Sequence, residues 1–228
     1  MRVLFLLLLA LLSAPNAAAA QIGIINDADG WTNLRVAPKG NADVLWRIPD
    51  NITFWYDDDA YEAGARWIEV IIPSDTLTHA PQTSYVDEEL LLGYVHRSRI
   101  RDLDDLKPYT GQAFSFKYVL EDFNPAGREL DYLGETVLLY IDQRHPWGTD
   151  GNLPRVAVKS IEATYNGREL KVPTYWFADL FECTNKLTIT QAGDNFFVHQ
   201  WNSDGAGGYQ VTWVFSDNGV ERRIIMAP

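Results

Sequence analysis

Apolar and polar residues alternate along most of the chain, and turn-forming residues interrupt the alternation at short intervals. A period of two puts successive side chains on opposite faces of a strand, so an all-β protein is predicted. The first predicted strands run near Asn33–Val36, Val44–Ile48, Thr53–Tyr56 and Trp67–Ile72, with a short one at Gly93–Val95. Leu34 and Val36 are expected on one face of the first, and Trp67 and Val70 are expected to anchor a later one against the core. The stretch SRIRDLDDLKPYTG is charged and carries Pro108 and Gly111, so it reads as the exit of one domain and a connector into the next. Asp102 to Asp105 suits one helical turn.

A second set of strands is predicted in AFSFKYVLE, TVLLYID, RVAVKSIEATY, NKLTITQ, NFFVHQW, YQVTWVF and VERRIIM. Asn166-Gly167 between EATY and RELKV is a strong hairpin signal, because both residues tolerate positive φ. TYWFADLFEC is the best candidate for a short helix. Seven or eight strands in this span suggest a β-sandwich or jelly-roll-like barrel. His199 is expected on a partly exposed strand face, opposite Val198.

The amino terminus departs from this pattern. Arg2 precedes the apolar run VLFLLLLALL; Ser13, Pro15 and Asn16 then break it, and Ala18 and Ala20 fit the small-x-small rule of a signal peptidase. Residues 1–20 are therefore expected to be a signal peptide cleaved before Gln21, delivering a periplasmic or secreted protein. The run is about ten residues long, against the roughly 20 that a membrane span requires. Lys and Arg number 19 against 31 Asp and Glu, a formal charge of −12. Such a surface repels phosphate backbones, so nucleic acid is not an expected partner. Long-range attraction favours a cationic protein or peptide stem, while acidity also serves solubility. Cys183 is the only cysteine, so no internal disulfide forms, and within WFADLFEC it reads as a buried small hydrophobe. Hydrophobic residues at 46%, with eight tryptophans, supply the packed core that must hold the fold instead.

Several segments between Gly30 and Ile100 resemble the bacterial SH3 family: Asn33-Leu34-Arg35 with Pro38, VLWRIPDN, Trp67-Ile68-Glu69-Val70, and Gly93-Tyr94-Val95-His96. The resemblance implies a small β-barrel acting as a binding module, often for cell-wall peptide or glycan, of a kind commonly attached to wall hydrolases. The segment PSDTLTHAPQTSYVDEEL departs from that family's tight hairpin and is expected to be a surface loop. Asn33 and Arg35 are expected to support the fold. The contact candidates are the aromatics that alternation does not assign to the core: Trp31, Trp55, Tyr56 and Tyr61. The last three lie near the acidic run Asp57-Asp58-Asp59, and aromatics beside carboxylates suit a ligand with apolar and cationic parts.

In the second half, DQRHPWGTDGNLPR and QWNSDGAGGY are the polar clusters. Asp142, His145 and Asp150 in the first, with Asn202 and Asp204 in the second, are the residues from which an acid–base pair or an oxygen-ligand metal site would be assembled. No HExxH, GxSxG, CxxC or calcium-loop spacing accompanies them, and Asp, Asn and Gly between strands are ordinary turn formers. No cofactor, metal or catalytic residue is therefore predicted. GAGG precedes an alternating strand pattern rather than a helix, which argues against a dinucleotide loop. WNSDGAGGYQVTW resembles the end of a domain in exported bacterial proteins, and favours the HPWG and SDGAGG loops sharing one surface. Trp147, Trp201, Asn202, Asp204 and Tyr209 are the ligand candidates there.

Taken together, residues 21–102 are expected to form an SH3-like barrel, 103–112 a connector and 113–228 a β-sandwich. The expected function is non-enzymatic binding of cell-wall peptide or an envelope protein. Two alternatives stand beside it: an inhibitor or immunity protein blocking a wall-degrading or toxic enzyme, and a hydrolase with an unrecognised site in the second domain.

Overall fold

A computed structural model describes residues 20–73 and 90–226. The expected signal peptide, apart from Ala20, and all but the two ends of the expected surface loop lie outside the described residues. The protein is all-β. Seven antiparallel strands form the first sheet: β1 Ala20–Ile25, β2 Trp31–Arg35, β3 Val44–Pro49, β4 Thr53–Asp57, β5 Trp67–Pro73, β6 Leu90–His96 and β7 Ile100–Asp102. Their order is β3-β2-β6-β5-β4-β1-β7. Alternation sends Leu34, Ile48, Phe54, Ile68, Val70, Ile72 and Val95 into one core. Gly93 permits the close approach of β6 to β2: a Cβ there would sit 2.7 Å from Leu34 Cδ1 and 2.8 Å from Arg35 O.

Two strands and a helix differ from expectation. β1 carries no alternation to read because both its faces are covered: Ile25 enters the first core, while Ile22 and Ile24 face the second half of the chain. Gly23 lies between them, where a Cβ would meet Phe54 Cε2 at 2.8 Å. Val36 is exposed rather than in line with Leu34, because the β2–β3 register shifts between Leu34 and Arg35. The acidic run forms a short helix, α1 Asp58–Glu62; the Asp57 side chain caps it by accepting from Ala60 N at 2.9 Å, and Asp58 and Asp59 sit in the favourable first turn.

The second half holds β8 Phe114–Asp122, β9 Leu130–Leu133, β10 Val137–Ile141, β11 Val156–Tyr165, β12 Arg168–Glu169, β13 Thr188–Ala192, β14 Asn195–Asn202, β15 Tyr209–Ser216 and β16 Gly219–Met226. The sheets β12-β11-β8 and β13-β14-β15-β16 share one aromatic-rich core, in which Phe114 stacks on Phe196 at 4.5 Å and Trp213 Nε1 donates to Tyr118 Oη at 2.7 Å. Asn166 and Gly167 both take positive φ in the β11–β12 hairpin, as their sequence predicts. TYWFADLFEC supplies only a 3-10 turn at Thr174–Trp176. β9, which the pattern did not mark, pairs with β10 as a separate two-stranded sheet.

The expected connector is packed. Leu103 N donates to Ile22 O at 3.0 Å and Tyr109 N to Ile189 O at 2.7 Å. Leu103 and Leu106 join Ile22, Ile24, Phe197, Val214 and Ile224 in a cluster that binds the two halves face to face. This packing also covers the outer face of β14, so His199 is buried rather than partly exposed, with Nδ1 3.5 Å from Asp104 Oδ1.

Candidate functional site

A groove of about 460 Å³ opens on the seven-stranded sheet. Its lining comes from separate stretches of chain, which the order β2-β6-β5 brings side by side. β5 buries Ile68, Val70 and Ile72, so the opposite parity turns Trp67 outward into the groove. Its cross-strand partner His96 meets it edge to face, with ring centroids 5.2 Å apart. Trp31 at the start of β2 supplies a second aromatic surface and carries the Arg47 guanidinium 4.3 Å from its ring. Arg35 Nη1 donates to Ala42 O at 2.7 Å, which ties the loop after β2 beside the groove.

The groove is cationic on an acidic chain. Arg35, Arg66 and Arg99 line it with Asp27 and Asp29, and Arg99 engages Asp27 at 2.8 Å. Arg66 has no carboxylate partner among the described residues; its Nε donates to His96 Nε2 at 3.3 Å. His96 Nδ1 lies 2.8 Å from Ser98 Oγ and 3.3 Å from Ser98 N, so Ser98 holds the ring from the side away from Arg66. Partial burial, and then the charges of Arg66 and Arg99, hold the His96 pKa below its ordinary value, which keeps the ring neutral near pH 7. Two tryptophans and an accessible guanidinium suit a ligand that combines a carboxylate with short apolar groups.

Of the four expected amino-terminal contacts, Trp31 alone lines this groove. Tyr56 is corrected to a core residue: it is buried and hydrogen-bonds to Asp102, and burial followed by that bond drives its phenol pKa well up. Trp55 packs half-buried against the cluster joining the two halves. Tyr61 lies half-buried under the Arg97 guanidinium at 4.3 Å. Arg66, Trp67 and His96 were missed as contacts, although Trp67 and Val70 differ in parity and so face opposite sides of one strand.

The two polar loops of the second half do meet. Ser203 Oγ donates to Gly148 O at 3.0 Å, and a Cβ on Gly207 would lie 3.0 Å from Thr149 C. The junction is closed, so Trp147, Asn202 and Tyr209 are corrected from contacts to buried supports. Asn202 Oδ1 accepts from Gln200 Nε2 and from Thr184 N. Trp201, half exposed, and exposed Asp204 remain at the surface. Asp142 is taken up by Arg128 and by Glu129 N, and His145 stands edge-on to Trp147 at 4.5 Å. Among the described residues no three His, Cys, Asp or Glu side chains gather in a way that would hold a metal ion. Nor is any described helix long and apolar enough to cross a membrane.

No family model, curated protein or solved structure matches this chain.

Proposed function

We propose that this is an exported, non-enzymatic binding protein of the cell envelope, whose amino-terminal half is an SH3-like barrel taking a carboxylate-bearing peptide in its groove. Cell-wall stem peptide is the favoured ligand, and an acidic or carboxyl-terminal segment of an envelope protein has the same chemistry. One observation carries the reading: Trp31 and Trp67 line the same groove as Arg35 and Arg66, on a chain whose formal charge is −12. The guanidinium fork matches a carboxylate, and the indoles cover short aliphatic side chains at low entropy cost.

The experiment is calorimetric titration of the exported protein with a purified stem peptide, in free-carboxylate and amidated forms. A charge-assisted hydrogen bond contributes about 1.5–3 kcal/mol, so Arg66→Ala should weaken the carboxylate form about tenfold or more. Trp67→Ala should weaken both forms. Equal binding of both forms to the parent protein, or indifference to both substitutions, would remove the groove from the function.

A further inference from the structure

The β9–β10 hairpin presents apolar side chains that no other described residue covers. Leu133 and Val137 are cross-strand partners on one face, 65% and 43% exposed. Tyr132 and Leu139 on the same hairpin are also exposed. Val137 abuts Gly151, where a Cβ would lie 3.0 Å from Val137 Cγ1, and exposed Leu153 follows two residues later. The opposite side of the hairpin is anchored: Leu138 and Ile141 pack on Phe181, and Leu138 N donates to Gly151 O at 2.8 Å. A firmly rooted strand pair that keeps large apolar groups in water is a common form of protein-docking surface.

Its second property is charge. The basic residues that follow in sequence or flank its anchor are already engaged: Arg128 with Asp142, Arg144 with Asp179 and Arg155 with Glu182. Asp131, Glu135 and Asp150, on or beside the hairpin, form no ion pair among the described residues. The apolar patch is therefore rimmed by unneutralised carboxylates. Two copies of this chain meeting here would set those carboxylates against each other, and an anionic lipid surface would be repelled in the same way. β9 also pairs only with β10 among the described strands, so its far edge offers backbone donors and acceptors to an added strand.

We propose that the β9–β10 hairpin is a docking site for a basic protein, which seats apolar side chains on Leu133 and Val137 and sets lysines or arginines against Asp131, Glu135 and Asp150. The hairpin shares no residue with the groove on the seven-stranded sheet, so a basic partner here and a carboxylate ligand there would use separate side chains. A cationic envelope enzyme, held or blocked through this hairpin, fits the chemistry.

The test is photo-crosslinking from position 133 of the full-length protein in envelope extract of its own source. Mass spectrometry identifies the captured protein, and the purified partner is then titrated. A partner with an excess of Lys and Arg is expected. Its affinity should fall at least tenfold with Leu133→Ser and Val137→Ser, both solvent-facing changes whose folding is checked by melting temperature. Asp131→Asn with Glu135→Gln should weaken binding and flatten its salt dependence, while Arg66→Ala in the groove should leave it unchanged. A crosslink to a second copy of the chain, an acidic partner, no crosslink, or an affinity indifferent to Leu133→Ser would each overturn the proposal.

Discussion

Arg223 grips Asp179 with two parallel hydrogen bonds, Nη1 to Oδ1 at 2.6 Å and Nη2 to Oδ2 at 2.8 Å, and neither side chain reaches solvent. Arg223 Nη1 also donates to Trp176 O at 2.6 Å, so the pair ties β16 to the 3-10 turn and the segment after it. A buried pair of this kind is costly to break because the survivor is left as an uncompensated charge. Asp179→Ala should lower stability by about 3–5 kcal/mol. Replacing both partners, Asp179→Leu with Arg223→Met, should cost less than the single change. Urea unfolding of the three proteins decides it, and a single-mutant loss below about 1 kcal/mol would refute the account.

The pH dependence follows from buried His199 and half-buried His145. Burial holds the His199 pKa below its ordinary value, with Asp104 and then Asp102 pulling the other way. The unfolded chain therefore binds a proton near pH 6.5 that the folded protein still refuses. Stability from this residue is complete above the unfolded value and is lost as pH falls from there to the folded value. His145 shifts in the same direction, again through burial, against an opposing pull from Asp179. Melting temperature should therefore fall between about pH 7 and pH 5, and His199→Gln should make the fall shallower. Asp104→Asn, which removes the group that raises the His199 pKa, should make it steeper. An identical pH slope in all three proteins would contradict the assignment.

The strands that face core on one side and water on the other were legible because Ile68, Val70 and Ile72 alternate with more exposed neighbours. β1 was not, because burial on both faces erases the alternation in QIGII. The same cause hid the burial of His199, whose outer face is covered by a connector that looks merely charged in sequence. The groove was half legible. Trp31 stood out as an aromatic without a core assignment, whereas Arg66, Trp67 and His96 join it only through the β2-β6-β5 strand order, which alternation cannot supply. Trp147, Asn202 and Tyr209 looked like loop contacts because two glycine-rich loops close over one another, a long-range event with no local signature.

The connector should behave as core rather than linker. Leu106 is 6% exposed and packs against strands of both halves. Leu106→Ala should destabilise the whole protein by about 2–4 kcal/mol, in one cooperative transition. Limited proteolysis of the native protein should spare residues 103–109. Early cleavage there, with two independently melting fragments, would show that the halves do not depend on this packing.

Cys183 should be inert until the fold opens. Burial pushes its thiol pKa up to about 12, and its Sγ sits 3.1 Å from Tyr209 Oη inside the second core. A thiolate is the reactive form, so a disulfide-exchange reagent should leave the native protein unmodified at pH 8 and react fully in urea. Rapid native labelling would mean that this core opens locally.

The SDGAGG loop separates structure from surface at adjacent positions. Asn202 is 1% exposed, and its carboxamide oxygen bridges Thr184 N and the Gln200 side chain, which itself reaches Thr184 O at 3.0 Å. Asn202→Ala removes an acceptor from this buried network and leaves the Thr184 N–H without it, a change expected to cost about 1–3 kcal/mol. Asp204, two residues on, is exposed and its side chain makes no capping bond to the 3-10 turn that follows, so Asp204→Ala should change stability by less than about 0.5 kcal/mol. Trp201 is half exposed and lies over Gly208, where a Cβ would come within 3.2 Å of Trp201 Cζ2. Trp201→Ala should therefore uncover the loop backbone with a stability loss between the other two. Measuring melting temperature on the three variants ranks them. If Asp204→Ala proved as costly as Asn202→Ala, the aspartate would be holding the turn, and this division between buried support and free surface would be wrong.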